Sequence, residues 1–387
     1  MPSTRQQFEN NFAARLGAKK AFAFWKGRVG LYAILKALGV GVGDEVMVAG
    51  YTCVAVVRPI KYLGARPVYV DIEPDTYNLD VAKIARAVTN KTRVLIAQHT
   101  FGYPVDMDAV MALATQHNIE VVEDACLALG SRYKGQLVGT WAKAAYWSMQ
   151  WNKTFTTGFG GMVTTSDELL AIKLERLIKD EAITPSLRET WMLAGMRAIH
   201  QLSATPKNIN RVQTVYRWLS RNNLVSVNPP GPAQVKYSPR FFKHMGAGQA
   251  KAGLQKLDQL EANIAHRRKI SALYTRLLAS RGWRIPPLSG SADPIFVRYP
   301  VRVRNKIEAI RLAQQRHLEI GTWFDSPLHQ CTESLNFYDY VPGTCPIAER
   351  AANEVVNLPT HCRVTEADAR AAVDLVCAIG PVDGCST

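Results

Sequence analysis

The sequence predicts an α/β fold, with a mostly parallel central sheet flanked by helices and a smaller C-terminal α+β domain. Three observations carry this. Between about residues 25 and 165, short apolar runs alternate with segments of helical period, the order that a parallel sheet with crossover helices requires. The chain, at 387 residues, is longer than one hydrophobic core usually serves. Beyond about residue 240 the pattern changes to a long amphipathic stretch followed by further strands and helices.

The elements follow in order. Residues 30–38 cover a helix face with apolar side chains and stop at Gly39. Apolar runs at 45–49, 67–71, 93–97, 119–123 and 144–148 read as strands, with 109–117 as one intervening helix. Asp71, His99, Asp124 and Ser148 all fall at strand ends, where open α/β sheets gather their ligands, so these residues are expected to converge. Residues 248–281 read as one long helical pattern through Leu254, Leu257, Leu260 and Ile264. Strands are expected at 294–299 and 301–303, and helices at 306–316 and 365–379. A boundary near 240 divides the chain into a large domain, 1–240, and a small one, 241–387.

Net charge is +15, which favours anionic partners. From Ile183 to Lys243 the one acidic residue is Glu189, against nine basic residues, so this segment carries +8. Aromatic and apolar residues interleave with it at Trp191-Met192-Leu193, Val215-Tyr216-Arg217-Trp218-Leu219 and Phe241-Phe242. It reads as a basic helical insertion over 183–240, packed on the protein or in peripheral contact with a membrane. Nucleic acid is not the expected partner. The polar N-terminus lacks a signal-peptide run and no stretch is long and apolar enough to span a bilayer, so a cytoplasmic location is expected. Seven scattered cysteines without a Cys-x-x-Cys pair read as free thiols. Cys331, Cys345, His361 and Cys362 fit no familiar zinc spacing, and no metal is expected.

Gly39-Val40-Gly41-Val42-Gly43 mimics a dinucleotide fingerprint but closes a helix instead of opening one. Gly27-Arg28-Val29-Gly30, by contrast, lies at a helix entrance, where backbone N–H groups bind phosphate and Lys26 and Arg28 add charge; an ordinary helix cap is the competing reading. Lys153 follows Ser148 by five residues and precedes Gly158, Gly160 and Gly161, while Asp124 closes an apolar strand upstream. Such a lysine can form a Schiff base with an aldehyde cofactor, the serine can bind its phosphate, and the aspartate can keep a pyridine nitrogen protonated. Together they suggest pyridoxal 5'-phosphate (PLP), although Lys153 alone reads more often as a solvated surface lysine than as a Schiff-base lysine.

In the order phosphate-binding helix, strand-end aspartate, serine, lysine and glycine cluster, the chain resembles the fold-type-I PLP-dependent transferases, and in detail the DegT/StrS-type nucleotide-sugar aminotransferases. The resemblance spans nearly the whole chain. Residues carrying it include Gly64-Ala65-Arg66-Pro67-Val68-Tyr69-Val70-Asp71, His99-Thr100-Phe101-Gly102-Tyr103-Pro104, Glu123-Asp124-Ala125, Pro327-Leu328-His329 and Asn357-Leu358-Pro359. It implies that Lys153 holds PLP covalently and then moves the proton, that Asp124 pairs with the pyridinium nitrogen, and that Ser148 with the Gly27 and Arg28 backbone binds the phosphate. The family's sugar dehydratases carry histidine in place of this lysine. The implied activity is transfer of an amino group from an amino acid, with L-glutamate the expected donor, to a keto-sugar nucleotide in amino-sugar biosynthesis. A homodimer with its active site at the subunit interface is also implied.

Departures accompany the resemblance. Arg28 replaces a phosphate-loop threonine, Cys53 a ring-stacking aromatic residue, and Leu127 and Leu129 a glutamine and a histidine. The asparagine that crosses from the partner subunit aligns near Phe242. Arg28 and Arg240 are the expected replacements for lost phosphate donors. His99 and His329 match positions near the active site, where each is either a substrate contact or a structural group, and Tyr51 and Thr52 share that ambiguity. The departures leave two alternatives open: an aminotransferase for a lipid-linked or carrier-bound ketone at a membrane surface, or a non-catalytic binding or regulatory protein of the same fold.

Overall fold

Short runs rich in valine, isoleucine and aromatic residues form the centre of the molecule, which a computed structural model describes over residues 1–203, 237–287, 290–331 and 333–382. Seven strands make the main sheet: β1 (Lys20–Phe24), β2 (Glu45–Ala49), β3 (Arg66–Val70), β4 (Thr92–Gln98), β5 (Glu120–Asp124), β6 (Ala144–Ser148) and β7 (Gly161–Thr165). Their order is β1-β7-β6-β5-β4-β2-β3. The five strands β2 to β6 are mutually parallel. β7 runs against both of its neighbours, β6 and β1. Every residue of β2 and β7 is buried, as expected of strands covered on both faces.

The helices among the described residues are α1 (Thr4–Leu16), α2 (Gly27–Ala37), α3 (Val54–Tyr62), α4 (Val81–Ala87), α5 (Met107–His117), α6 (Glu168–Glu181), α7 (Leu187–Ser203), α8 (Ala247–Leu257), α9 (Leu260–Ala279), α10 (Lys306–Gln315), α11 (Pro346–Glu354) and α12 (Glu366–Ile379). Asp80, Asp106 and Asp167 cap α4, α5 and α6 through side-chain oxygens that accept first-turn N–H groups. A second, two-stranded antiparallel sheet joins β8 (Arg298–Arg302) to β9 (Val355–Pro359). Its Tyr299, Val301, Val356 and Leu358 belong to the same apolar cluster as the central strands, with Tyr274 of α9 and Val373 of α12.

Four sequence expectations are corrected. The first α/β helix begins at Gly27 instead of residue 30, because glycine at its entrance carries no apolar signal. The run 248–281 is two helices, α8 and α9, interrupted at Asp258 and Gln259. The leucine periodicity continues across the interruption and conceals it. Residues 294–303 form one strand instead of two: Ile295 and Val297 direct their N–H groups to Ser131 Oγ and the Phe101 carbonyl, outside any ladder. Pro300 is tolerated within β8 because it lies opposite Asn357, whose backbone N–H and carbonyl bond Gly321 on the far side of β9 and need nothing from Pro300. Lastly, Asp71 does not join the other strand-end residues. Its carboxylate accepts the N–H groups of Ile347 at 3.2 Å and Ala348 at 3.0 Å, and meets Lys83 at 3.1 Å, so it caps α11.

Of the basic insertion, α7 is described, whereas Val215-Tyr216-Arg217-Trp218-Leu219 and the prolines at 206, 229, 230 and 232 lie outside the described residues. α7 packs through Leu193 against Trp25 and Phe159. Asp71→Ala is expected to cost about 1–3 kcal/mol, since it strips a buried cap and leaves two helix N–H groups unpaired. Urea denaturation measures this, with an unchanged midpoint as the contrary result.

Candidate active site

The antiparallel course of β7 brings three chain segments to one edge of the sheet. Phe24 at the end of β1 lies opposite Gly161 at the start of β7, and Gly161 lies opposite Ser148 at the end of β6. α2 opens just after Phe24 and meets this edge directly. A Cβ on Gly27 would come within 3.0 Å of the Trp147 carbonyl oxygen and 3.2 Å of Ser148 Cβ, and one on Gly161 would overlap the backbone of Lys26 and Gly27. The approach requires glycine at 161 and leaves little room for a side chain at 27. The N-cap residue Lys26 supplies no side-chain acceptor, the Val29 N–H bonds the Lys26 carbonyl at 3.0 Å, and the positive end of the α2 dipole faces Ser148.

Cations crowd this helix end. Burial pushes the Arg28 guanidinium below its ordinary range, and Arg58 of α3 beside it pushes the same way. Burial lowers the Lys26 amine to about 7, with Arg28, Lys243 and Arg58 adding to the effect and Glu189 opposing it. Lys26 also sits 5.2 Å from the Phe159 ring centre. Like charges gathered at a helix N-terminus are relieved by a bound dianion, which makes this a cup for a phosphate group.

Beside the cup stands Asp124, at the end of β5. The Tyr146 hydroxyl donates to Oδ2, and the Cys126 N–H donates to Oδ1 at 3.0 Å. The carboxylate is thereby held in one orientation while keeping lone pairs for a further donor. Burial, then Asp124, pushes the Tyr146 phenol well up, which keeps that donor protonated.

Lys153 lies in the loop 149–160 that joins β6 to β7. Met149 N–H bonds the Gly160 carbonyl at 2.9 Å and Thr157 N–H bonds the Met149 carbonyl at 3.1 Å, closing the neck of the loop. Asn263 of α9 donates to the Thr154 carbonyl at 2.8 Å, next to the lysine. Its Nζ stands 4.9 Å from the Trp323 ring centre. The Cys126 thiol, raised mainly by burial, feels Asp124, Lys153 and Cys53 together, which places all four in one neighbourhood.

Cys53 caps α3, its sulfur accepting the Ala55 N–H at 3.5 Å. In the two-residue strand Thr52–Cys53 it pairs in parallel with Leu328–His329, in register with His329. This pairing ties the C-terminal segment to the site. Asp325 Oδ1 lies 2.7 Å from His329 Nδ1, and the buried Nε2 has no hydrogen-bond partner.

Other candidates are placed elsewhere. His99 is fully buried, with Nε2 3.1 Å from Glu123 and Nδ1 accepting the Val105 N–H at 3.1 Å. With both nitrogens engaged it is a structural group and not a substrate contact. Arg240 is exposed on a single 3-10 turn. Phe242 packs against Phe24 and Tyr32 in its own core and is not directed outward. Leu127 and Leu129 are core residues. Tyr51 accepts the Phe324 N–H at 3.1 Å and Thr52 bonds Gln98, so both are structural. Sequence reasoning missed Arg58, which read as part of an apolar helix ahead of Pro59, as well as Tyr146 and Trp323; only burial and contact reveal them.

The residues present fit PLP: a glycine-lined phosphate cup, a carboxylate oriented for a ring N–H, and a lysine in the same neighbourhood. Gly27→Ala is expected to cost about 1–3 kcal/mol and to abolish stabilisation by phosphate, read from melting curves with and without inorganic phosphate. Lys26 gives a pH signature. Because its folded value is lowered to about 7 from 10.5, the unfolded chain holds the extra proton between those values, and this group's contribution to stability rises with pH across that window. Anion affinity runs the other way, falling above about pH 7 as Lys26 loses its charge. In Lys26→Met the fall should vanish; a fall that persists would assign it to another group.

Comparison with known proteins accords with this geometry. A model of the DegT/DnrJ/EryC1/StrS aminotransferase family matches residues 2–200 and 239–377. GDP-perosamine synthase of Caulobacter vibrioides is 30% identical over 365 residues, covering 94% of this chain and 86% of that protein. dTDP-3-amino-3,4,6-trideoxy-alpha-D-glucose transaminase of Micromonospora megalomicea subsp. nigra is 28% identical over 92% of this chain and 84% of its own length. Among solved structures, S. venezuelae DesV superposes with a TM-score of 0.77 at 26% identity, covering 99% of this chain and 91% of DesV. The protein thus belongs to the DegT/DnrJ/EryC1/StrS aminotransferase family and is a PLP-dependent aminotransferase of fold type I.

Proposed function

We propose that the protein transfers the amino group of L-glutamate to the carbonyl of a keto-sugar carried on a nucleotide, yielding an amino-sugar precursor. The observation that carries this reading is the near-full-length similarity to GDP-perosamine synthase. Lys153 is the group that bears the cofactor, Asp124 the partner of its ring nitrogen, and Ser148 with the Gly27 and Arg28 backbone the phosphate contact. Arg58, facing Arg28, adds charge to the same cup. Bound PLP supplies an electron sink that acidifies the C–H bond next to the transferred nitrogen. The amine of Lys153 would act as the base that takes this proton and the acid that returns it. Asp124, oriented by Tyr146 and the Cys126 N–H, would accept a hydrogen bond from the ring nitrogen. We place the enzyme in the cytoplasm as a homodimer with its sites at the subunit interface.

A second reading, in which the acceptor ketone is lipid-linked or carrier-bound at a membrane surface, is favoured by α7. Leu187, Trp191 and Ile199 are exposed along this helix, while Leu193 faces inward. Flotation with anionic liposomes tests it: co-migration that Trp191→Glu abolishes supports the reading, and protein left wholly in the soluble fraction ends it.

For the leading reading, wild-type protein loaded with PLP is expected to lose its visible absorption band on addition of L-glutamate and to regain it with a keto-sugar nucleotide. Lys153→Ala should lose the covalently held band and slow conversion by at least about 1,000-fold. A wild-type band restored by simple ketones and not by nucleotide-linked ones would contradict the substrate class.

A further inference from the structure

Behind the cofactor site, and divided from it by one side chain, lies a second cavity. It is a cleft of about 370 Å³ between the last turn of α1, the segment that follows β5, the hairpin of residues 132–137 and the first turns of α9. Among the described residues its floor is aliphatic throughout: Leu16, Leu129, Leu137, Leu260 and Ile264 line it, and no aromatic ring does. Leu129 also lines the small cavity bounded by Cys126, Ser148 and Thr154, so it forms the partition between the two. Because Leu129 stands where the resemblance carries a histidine, the apolar partition is a departure particular to this chain. Gly130 beside it has a φ of +94°, and a Cβ there would come within 2.5 Å of Ile264 Cδ1, so a side chain at 130 would press into the floor.

The opening is cationic. Arg15, Arg132 and Arg268 line the cleft with one carboxylate, Glu261. The arginines reach solvent, whereas Leu16, Leu129, Leu260 and Ile264 are buried, so the charges ring the mouth. Arg15 pairs with Glu261 at 2.5 Å and Arg268 with Asp293 at 2.6 Å. Arg132 pairs with no carboxylate of the described residues; its Nη1 donates to the Gly135 carbonyl at 2.7 Å. Three arginines against Glu261 and Asp293 leave one net positive charge at the rim. Both ion pairs are solvent-exposed and therefore weak, which lets them rearrange around a ligand.

A buried aliphatic floor beneath a rim of one net positive charge matches an aliphatic body with a single anionic head. The guanidinium fork takes a carboxylate through two parallel hydrogen bonds. Glu261 and Asp293 disfavour a dianion, and a nucleobase or aromatic acid would find no ring to stack on. The volume lies within the range of small-molecule sites. We propose that this cleft binds an aliphatic carboxylate, with its chain on the leucines and Ile264 and its head on Arg132. The site is separate from amino-group transfer and does not rest on that reading.

The test titrates aliphatic carboxylates into the PLP-loaded, full-length protein by calorimetry, below the concentrations at which they form micelles. Decanoate should saturate one site per chain. Affinity should rise about three- to fourfold for each methylene between hexanoate and decanoate, as burial of that group requires. Decyltrimethylammonium, with the same chain and a cationic head, should not bind there, and decyl phosphate should bind more weakly than decanoate. Arg132→Glu, at an exposed position, should weaken decanoate at least about tenfold. Ala265→Trp, at an exposed position on α9, fills the cleft and should remove binding. Both variants should keep the wild-type melting temperature without ligand and the wild-type PLP absorption band. Absence of saturable binding to wild type, equal affinity for hexanoate and decanoate, tighter binding of decyl phosphate, or decanoate binding that both variants retain overturns the proposal. A protein that binds decanoate in this way yet moves no amino group would contradict the aminotransferase reading and uphold this one.

Discussion

The close approach of the α2 N-terminus to the end of β6 is the constraint on which the site depends. With Gly27 against Trp147 and Ser148, and Gly161 against Lys26, two missing Cβ atoms let a helix end meet two strand termini. The antiparallel direction of β7 makes this possible, since it starts where β1 and β6 stop. The same geometry determines where Lys153 can lie, because its loop must leave Ser148 and return at Gly161 through a neck closed by Met149 and Gly160. Lys26, Arg28 and Arg58 gather like charge at this edge, which suits it to an anionic group.

A second constraint connects the C-terminal part of the chain to this edge. The Cys53–His329 register and the bond from the Phe324 N–H to Tyr51 hold the segment bearing Trp323 beside the lysine loop. Trp323 in turn is anchored by Asn357 of β9. Substitution of an aromatic residue by Cys53 thus does not leave the neighbourhood without a ring; Trp323 stands next to Lys153 from another direction. The apolar cluster that runs from the central strands into α9, β8 and β9 carries this arrangement mechanically.

Much of the fold was legible because it rests on local period. The parallel strands, α5 and α12 are regular enough that burial pattern alone marks them. Residues 248–281 misled because apolar spacing persists across Asp258 and Gln259 while the helix does not. Among site residues, Lys153, Asp124 and Ser148 were visible by their order along the chain. His99 and Asp71 also sit at strand ends, yet one is engaged by Glu123 and the other by α11, partners far along the chain that spacing cannot reveal. Arg58 and Trp323 were invisible for the same reason: each is defined by a contact with a distant segment and not by its neighbours in sequence.

The central claim is that Lys153, and not the more readily deprotonated Lys26 at the cup, carries the cofactor. Borohydride reduction of the PLP-bound protein, followed by peptide mapping by mass spectrometry, tests it directly. The account predicts one phosphopyridoxyl group, on Lys153, in the peptide between Met149 and Gly160. A label on Lys26, or on any other lysine with Lys153 unmodified, would contradict it.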